Sequence, residues 1–362
     1  MAKLLLVFML VGAMHLQAQE LRPGFDKNEY IELLRAYARW GDSSFYNKVP
    51  ESRRYRKNNR KYRSEEVGFL NSWEMYETPT QTVISIRGTT DNQMSWMSNF
   101  YAAMIPAQGK LQINDSTAFE YQFARHTKAT VHVGWAVSTA YLMPDILQKV
   151  RASYSKKRKD IIIFGHSQGA GIAFLITAQL RHYQSVGVLP ADIRFKTYCS
   201  AAPKPGNLYF AYDYEYATQP GWSLSVVNAA DWVPEVPITV QTLQDFNETN
   251  PFKLAKDMIK KMPFPNNIAM RYMYNQLTKH NRKAVKKYKR FLGDIATRFI
   301  AKELEGYEKP EFQETFNYVR TGSPIILMPD AEYYKKFPDN DSTLFVHHGV
   351  LPYTYLAERV KL

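Results

Sequence analysis

The stretch Ile161 to Gly169, IIIFGHSQG, constrains this chain more than any other. Four consecutive apolar residues, Ile161-Ile162-Ile163-Phe164, read as a strand buried on both faces, the kind found inside a parallel sheet. They run into Gly165-His166-Ser167-Gln168-Gly169, and the small residues Ala170-Gly171 then open a helical pattern. Glycines at both ends of the pentapeptide let backbone close tightly where a strand turns into a helix. Ser167 is then lifted above the carboxyl edge of the sheet, beside backbone N–H groups of the helix N-terminus. A serine hydroxyl becomes a nucleophile only when so exposed and when a base takes its proton.

The rest of the chain supplies a sheet for that corner. "TVISIRGT" (82–89), "RFKTYCSAAP" (194–203) and "SLSVVNAADWVPEVP" (223–237) read as strands ending in loops. "DKNEYIELLRAYARW" (26–40) carries a helical apolar stripe, "TVHVGWAVSTAYLMPDILQKV" starts extended and turns helical near Trp135, and "PYTYLAERV" closes the chain as a helix. "YVRTGSPIILMPD" (318–330) suggests a hairpin. Alternating strands and helices specify an α/β domain with a mostly parallel sheet. The expected organisation is a signal peptide over 1–18 and one domain over 19–362. Lys3 followed by the apolar run Leu4–Met14, with Ala18 before the cut, is the basis for expecting export to the periplasm or outside the cell. The one cysteine, Cys199, leaves such a protein without an internal disulfide and reads as a buried small hydrophobe.

Residues 245–310 break the rhythm and read as a helical insertion. Val285, Tyr288, Leu292, Ile295 and Phe299 recur at three- and four-residue spacing, with lysines and arginines between them. Residues 251–306 hold 14 Lys/Arg against 4 Asp/Glu, much of the formal net charge of +13. A second basic run, "RRYRKNNRKYR", lies at 53–63. Fields of this kind attract anionic surfaces.

A base and an acid for Ser167 must follow it in the order Ser, Asp/Glu, His if the corner is a nucleophile elbow. His126, His132 and His166 precede the serine, His182 lies in the next helix, and His280 lies in the insertion. His347 and His348 remain, just before the last helix. Asp231 follows "SLSVVN", where a carboxylate emerges at the same sheet edge.

The segments "VISIRGTT", "VHVGWAVSTAY", "IIIFGHSQGAGIA", "VVNAADWVPEVP", "YVRTGSPIIL" and "HHGVLPYTYL" together resemble the class 3 (fungal-type) lipases of the α/β-hydrolase superfamily. The resemblance covers most of 80–356. It implies a Ser-His-Asp triad of Ser167, His348 and Asp231. The family's D-x-V-P is matched by Asp231-Trp232-Val233-Pro234, and its histidine followed by four residues and a tyrosine by His348 and Tyr353, which selects His348 over His347. It further implies an oxyanion hole from Thr89 and Gln168, and a lid or acyl-binding helix in "DNQMSWMSNFYAAM" carrying Met94, Trp96, Met97 and Phe100. The chain departs from the family in having Gln168-Gly169-Ala170 after the serine, and in the long basic insertion between acid and histidine. The expected function is hydrolysis of lipid carboxylic esters through an acyl-enzyme, lipase- or phospholipase-like, with no metal and no cofactor. The expected partners are a lipid or ester substrate at an interface and an anionic lipid surface met by the insertion; no nucleic acid is expected. The alternative reading is a non-catalytic envelope- or lipid-surface-binding protein on a hydrolase scaffold.

Overall fold

The computed structural model describes residues 21–41 and 48–361; the expected signal peptide lies outside them. A seven-stranded sheet forms the frame: β1 (Arg60–Arg63), β2 (Trp73–Glu77), β3 (Gln81–Ile86), β4 (Asp160–His166), β5 (Arg194–Ser200), β6 (Ser223–Asn228) and β7 (Ser323–Leu327), side by side in that order. β1 to β3 pair antiparallel, while β3 to β7 are parallel throughout. Parallel neighbours need crossovers. Helix α1 (Lys27–Tyr37) precedes the sheet, α2 (Gln93–Phe100), α3 (Val133–Ser155), α4 (Gln168–Ser185), α5 (Leu208–Thr218), α6 (Ala255–Lys261), α7 (Asn266–Lys289) and α8 (Ala296–Glu303) lie in the connections, and α9 (Ala331–Lys336) and α10 (Val350–Arg359) follow it. This mostly parallel sheet flanked by helices is the α/β-hydrolase fold.

Side chains of β4 divide the core. Ile161 and Ile163 pack with α3 and α4 on one face, Ile162 and Phe164 with α1 and α10 on the other. That is the period-two alternation of a strand buried on both faces. Cys199 is fully buried in the α4 layer. Part of the basic run at 53–63 is structural: Arg60 and Arg63 both pair with Glu74, whose side chain is buried in β2. Removing either arginine would leave a buried carboxylate short of a partner.

Two expectations fail here. Residues 318–330 do not form a hairpin: Tyr318–Val319 pairs antiparallel with Gly206–Asn207 in a separate four-stranded sheet, whereas β7 joins β6 in parallel. Gly322, at φ +85°, turns the chain from one sheet to the other. The apolar stripe of the insertion also does not run through to Phe299. Val285 is buried, but a π-helical turn at Arg290–Ile295 adds a residue to the repeat. The inward positions beyond it become Thr297 and Ile300, and Phe299 turns out to solvent.

Candidate active site

The turn after β4 is tight enough to need its glycines. A Cβ at Gly165 would sit 2.2 Å from the Gly169 carbonyl oxygen, and one at Gly169 would sit 2.4 Å from that of Ile86. Between them Ser167 is held at φ 60°, ψ −132°, a conformation costing of order 1–3 kcal/mol for a residue with a Cβ. Its N–H donates to the Ser200 carbonyl (3.0 Å), and its side chain caps nothing. Strain retained in this way at the head of a helix keeps the hydroxyl clear of the backbone.

Asp231 lies in the turn after β6, with its side chain fully buried. Its Oδ2 accepts from His348 Nδ1 (2.8 Å) and from the Tyr353 hydroxyl (2.7 Å), and its Oδ1 accepts from the Val233 N–H (3.0 Å). Burial pushes this carboxyl up, but the His348 hydrogen bond and charge, with the Val233 and Tyr353 donors, outweigh it and hold it below the usual range. His348 therefore carries its proton on Nδ1, and among the described residues its Nε2 has no hydrogen-bond partner. His347 is engaged elsewhere, with Tyr333 Oη at 2.8 Å and Asp339 Oδ1 at 2.9 Å.

His166, the residue before Ser167, joins the corner to the histidine loop. Its Nε2 donates to the His348 carbonyl (2.7 Å), so its Nδ1 accepts from Ser200 Oγ (3.0 Å) and Ser200 in turn accepts from Tyr30 Oη (2.7 Å). The two imidazoles stand 5.0 Å apart between centroids. This relay and the side-chain role of Tyr353 were not visible in the sequence, because their partners come from four separate elements.

Gly88 approaches the corner from β3: a Cβ there would lie 3.1 Å from the His166 carbonyl oxygen and 3.7 Å from Ser167 Cβ. Thr89 follows it, and among the described residues neither its N–H nor that of Gln168 has a partner. Asn99 of α2 ties the two residues together. Its Nδ2 donates to Thr89 Oγ1 (3.0 Å), while its Oδ1 accepts from Gln168 Nε2 (3.1 Å) and Trp135 Nε1 (3.2 Å). Gln168 Nε2 also reaches the Ser95 carbonyl (2.9 Å). The departure at Gln168 thus has a structural use, fastening α2 to the corner.

Fastening gives α2 two faces. Ser95 and Ser98 are buried against α3, and Met94 and Met97 lean on the core. Trp96 and Phe100 face outward and stack on each other at 6.2 Å. Phe345 bridges Trp96 (6.2 Å), Trp232 (5.4 Å) and His348 (5.7 Å), forming an aromatic rim beside the histidine. The four lid candidates therefore divide into two that pack inward and two that line the rim.

Two buried histidines predict a pH effect on stability. Burial, assisted by the neighbouring His348 charge, pushes His166 down to about 3, and burial does the same to His132. Unfolded, both titrate near 6.5. Between those limits the unfolded chain binds more protons, so their stabilising contribution is complete above pH 6.5. It is lost as pH falls, by about 1.4 kcal/mol per unit for each ring. Urea midpoints measured from pH 7 to pH 4 are expected to fall along this slope, less steeply in His166→Gln.

Residues 83–241 match the family model for lipase (class 3), so the resemblance read from the sequence is borne out over that span. A secreted mono- and diacylglycerol lipase of Malassezia globosa is 28% identical over 119 residues, which is 32% of this chain and 36% of that protein. The chain thus spans about a third of that relative's length. Among solved structures, the Rhizomucor miehei triacylglyceride lipase aligns at 17% identity and TM-score 0.40, covering 60% of this chain and 77% of that one. The mono- and diacylglycerol lipase of Aspergillus oryzae aligns at 16% and 0.40, covering 59% and 73%.

Proposed function

We propose that this protein is a carboxylic ester hydrolase acting on lipid acyl esters, folded as one domain and exported from the cell. The observation that carries this reading is the Asp231–His348 hydrogen bond with His348 Nε2 left free, on a loop whose His348 carbonyl is bonded by His166, the residue before the strained Ser167. In the reaction His348 Nε2 takes the Ser167 hydroxyl proton as Oγ bonds to the ester carbonyl carbon. The oxyanion is met by the N–H groups of Thr89 and Gln168, each such donor typically worth about 10²–10³ in rate. The alcohol leaves with the proton from His348, and water, deprotonated by the same nitrogen, releases the acid from the acyl-enzyme. Asp231 holds the imidazole tautomer and stabilises the imidazolium. The aromatic rim of Trp96, Phe100, Phe345 and Trp232 supports an acyl-chain substrate, and the basic insertion supports work at an anionic lipid surface. Because the Malassezia relative is named a mono- and diacylglycerol lipase, partial glycerides are the first substrates to test. Fatty-acid release from mono-, di- and triacylglycerol and from phospholipid is the experiment. Release from at least one class is expected; none from any, and none from a soluble p-nitrophenyl ester, would leave the binding-scaffold reading.

A further inference from the structure

We infer that α6 and α7 form an arm that anchors the protein in anionic bilayers by two separable contacts, an inserted apolar flank and a basic outer stripe. The inference rests on the reading of the protein as a lipid-ester hydrolase but concerns a surface outside that site. Within α6 and α7 only Ile259 and Val285 are buried. A recess of about 640 Å³, bordered by Tyr274, Leu277, Thr278 and Asn281, opens between the middle of α7 and the loop of residues 241–253, and most of α7 before Val285 is exposed.

Met270, Met273 and Leu277 follow the i, i+3, i+7 spacing that places side chains on one helix flank. Met273 is 54% and Leu277 74% exposed, and Phe264, in the turn before α7, is 79% exposed. Large apolar groups left in water this way mark an interaction surface. Lys279, Lys283 and Lys286 repeat at i, i+4, i+7 on a different face, and none of them makes an ion pair among the described residues. An apolar flank roughly opposite a lysine face is the composition of a helix lying in a membrane interface, its apolar side buried and its lysines reaching the headgroups. Nucleic acid would satisfy the lysines and leave the methionines and Leu277 in water, so the bilayer is the occupant that uses both faces.

The root of the arm touches the site helix. Within the π turn, the Leu292 carbonyl accepts a hydrogen bond from the Ala103 N–H (3.2 Å), and beyond it Thr297 shares one with the Tyr101 hydroxyl (2.9 Å). Both partners follow α2 directly in the chain. An arm seated in a bilayer is therefore joined to the segment that carries Trp96 and Phe100.

The test is sedimentation of the full chain carrying Ser167→Ala with vesicles of phosphatidylcholine, alone or mixed with phosphatidylglycerol, at low and high salt. Binding is expected to be about tenfold or more stronger on the anionic vesicles at low salt, with a weaker, salt-resistant remainder. The triple variant Lys279→Glu/Lys283→Glu/Lys286→Glu should lose the salt-sensitive part. The double variant Met273→Ser/Leu277→Ser should lose the remainder, both with the parent's circular dichroism and unfolding midpoint. Equal binding to the two vesicle types, variants that bind like the parent, or tighter retention on duplex DNA than on anionic vesicles at the same salt each overturn the inference. Turnover of a soluble short-chain ester by the unsubstituted protein tests the site separately, so neither failure masks the other.

Discussion

Replacing Ser167 by Ala is expected to lower kcat for a p-nitrophenyl acyl ester by on the order of 10⁵–10⁶, with KM little changed. The substitution removes one oxygen from a partly accessible position and leaves the turn's hydrogen bond from the 167 N–H to the Ser200 carbonyl in place. Alanine meets the same positive φ as serine, so the fold should be retained and the unfolding midpoint should stay near the parent's. Activity lost without stability lost identifies the hydroxyl as the reacting group. Residual turnover of the oxyanion hole alone sets the floor, roughly 10³–10⁴ over water in comparable triads. A kcat within tenfold of the parent's would exclude Ser167 as nucleophile.

Asp231→Asn should cost about 10⁴ in kcat, although it changes one atom. Oδ2 of Asp231 accepts two hydrogen bonds, from His348 Nδ1 and from Tyr353 Oη, while Oδ1 accepts from the Val233 N–H. An asparagine can keep its carbonyl oxygen toward Val233 only by turning its NH₂ toward His348. The imidazole then answers with Nδ1 as acceptor, its proton moves to Nε2, and the nitrogen that should receive the serine proton is occupied. The pH profile separates this from a packing defect: raising pH cannot restore a base whose tautomer is wrong. Full recovery of kcat at high pH would contradict the assigned role of Asp231.

Much of this architecture was legible in the sequence because it depends on local rules. Four apolar residues before a glycine-bounded serine specify a buried parallel strand and a turn, and β4 and α4 are what formed. The acid and the histidine could be placed by chain order and by the D-x-V-P and His-x4-Tyr spacings, and the structure brings Asp231, His348 and Tyr353 into contact. What was not legible depends on partners distant in the chain. No periodicity announces that Asn99 joins Thr89 to Gln168, or that His166 links Ser200 to the His348 backbone. The π turn at Arg290–Ile295 is a further case, since a strict 3.6-residue repeat cannot anticipate the extra residue that turned Phe299 outward. The hairpin expected at 318–330 failed for a similar reason: two apolar runs joined by a glycine look alike whether they pair with each other or with strands far away.

The parallel pairing of β6 with β7 has a consequence for how this chain could vary. β6 ends at Asn228 beside Asp231, whereas β7 enters at Ser323, opposite Leu224, and ends at Leu327, opposite Asn228, so the chain is back at the same sheet edge one strand away only after crossing the sheet. Between these strands only α6 and most of α7 are a pendant: Ile300 and Phe312 pack into the core and Tyr318–Val319 joins the four-stranded sheet, so the ends of the pendant are fixed by the body. For a flexible pendant, each doubling of length costs only about 0.6 kcal/mol in closure entropy. The arm is thus a cassette: sequence can be added, shortened or exchanged there while the distance from carboxylate to imidazole stays where the strands put it. On the reading proposed above, chemistry and address are carried by separate stretches of one chain, and each is free to change at its own pace.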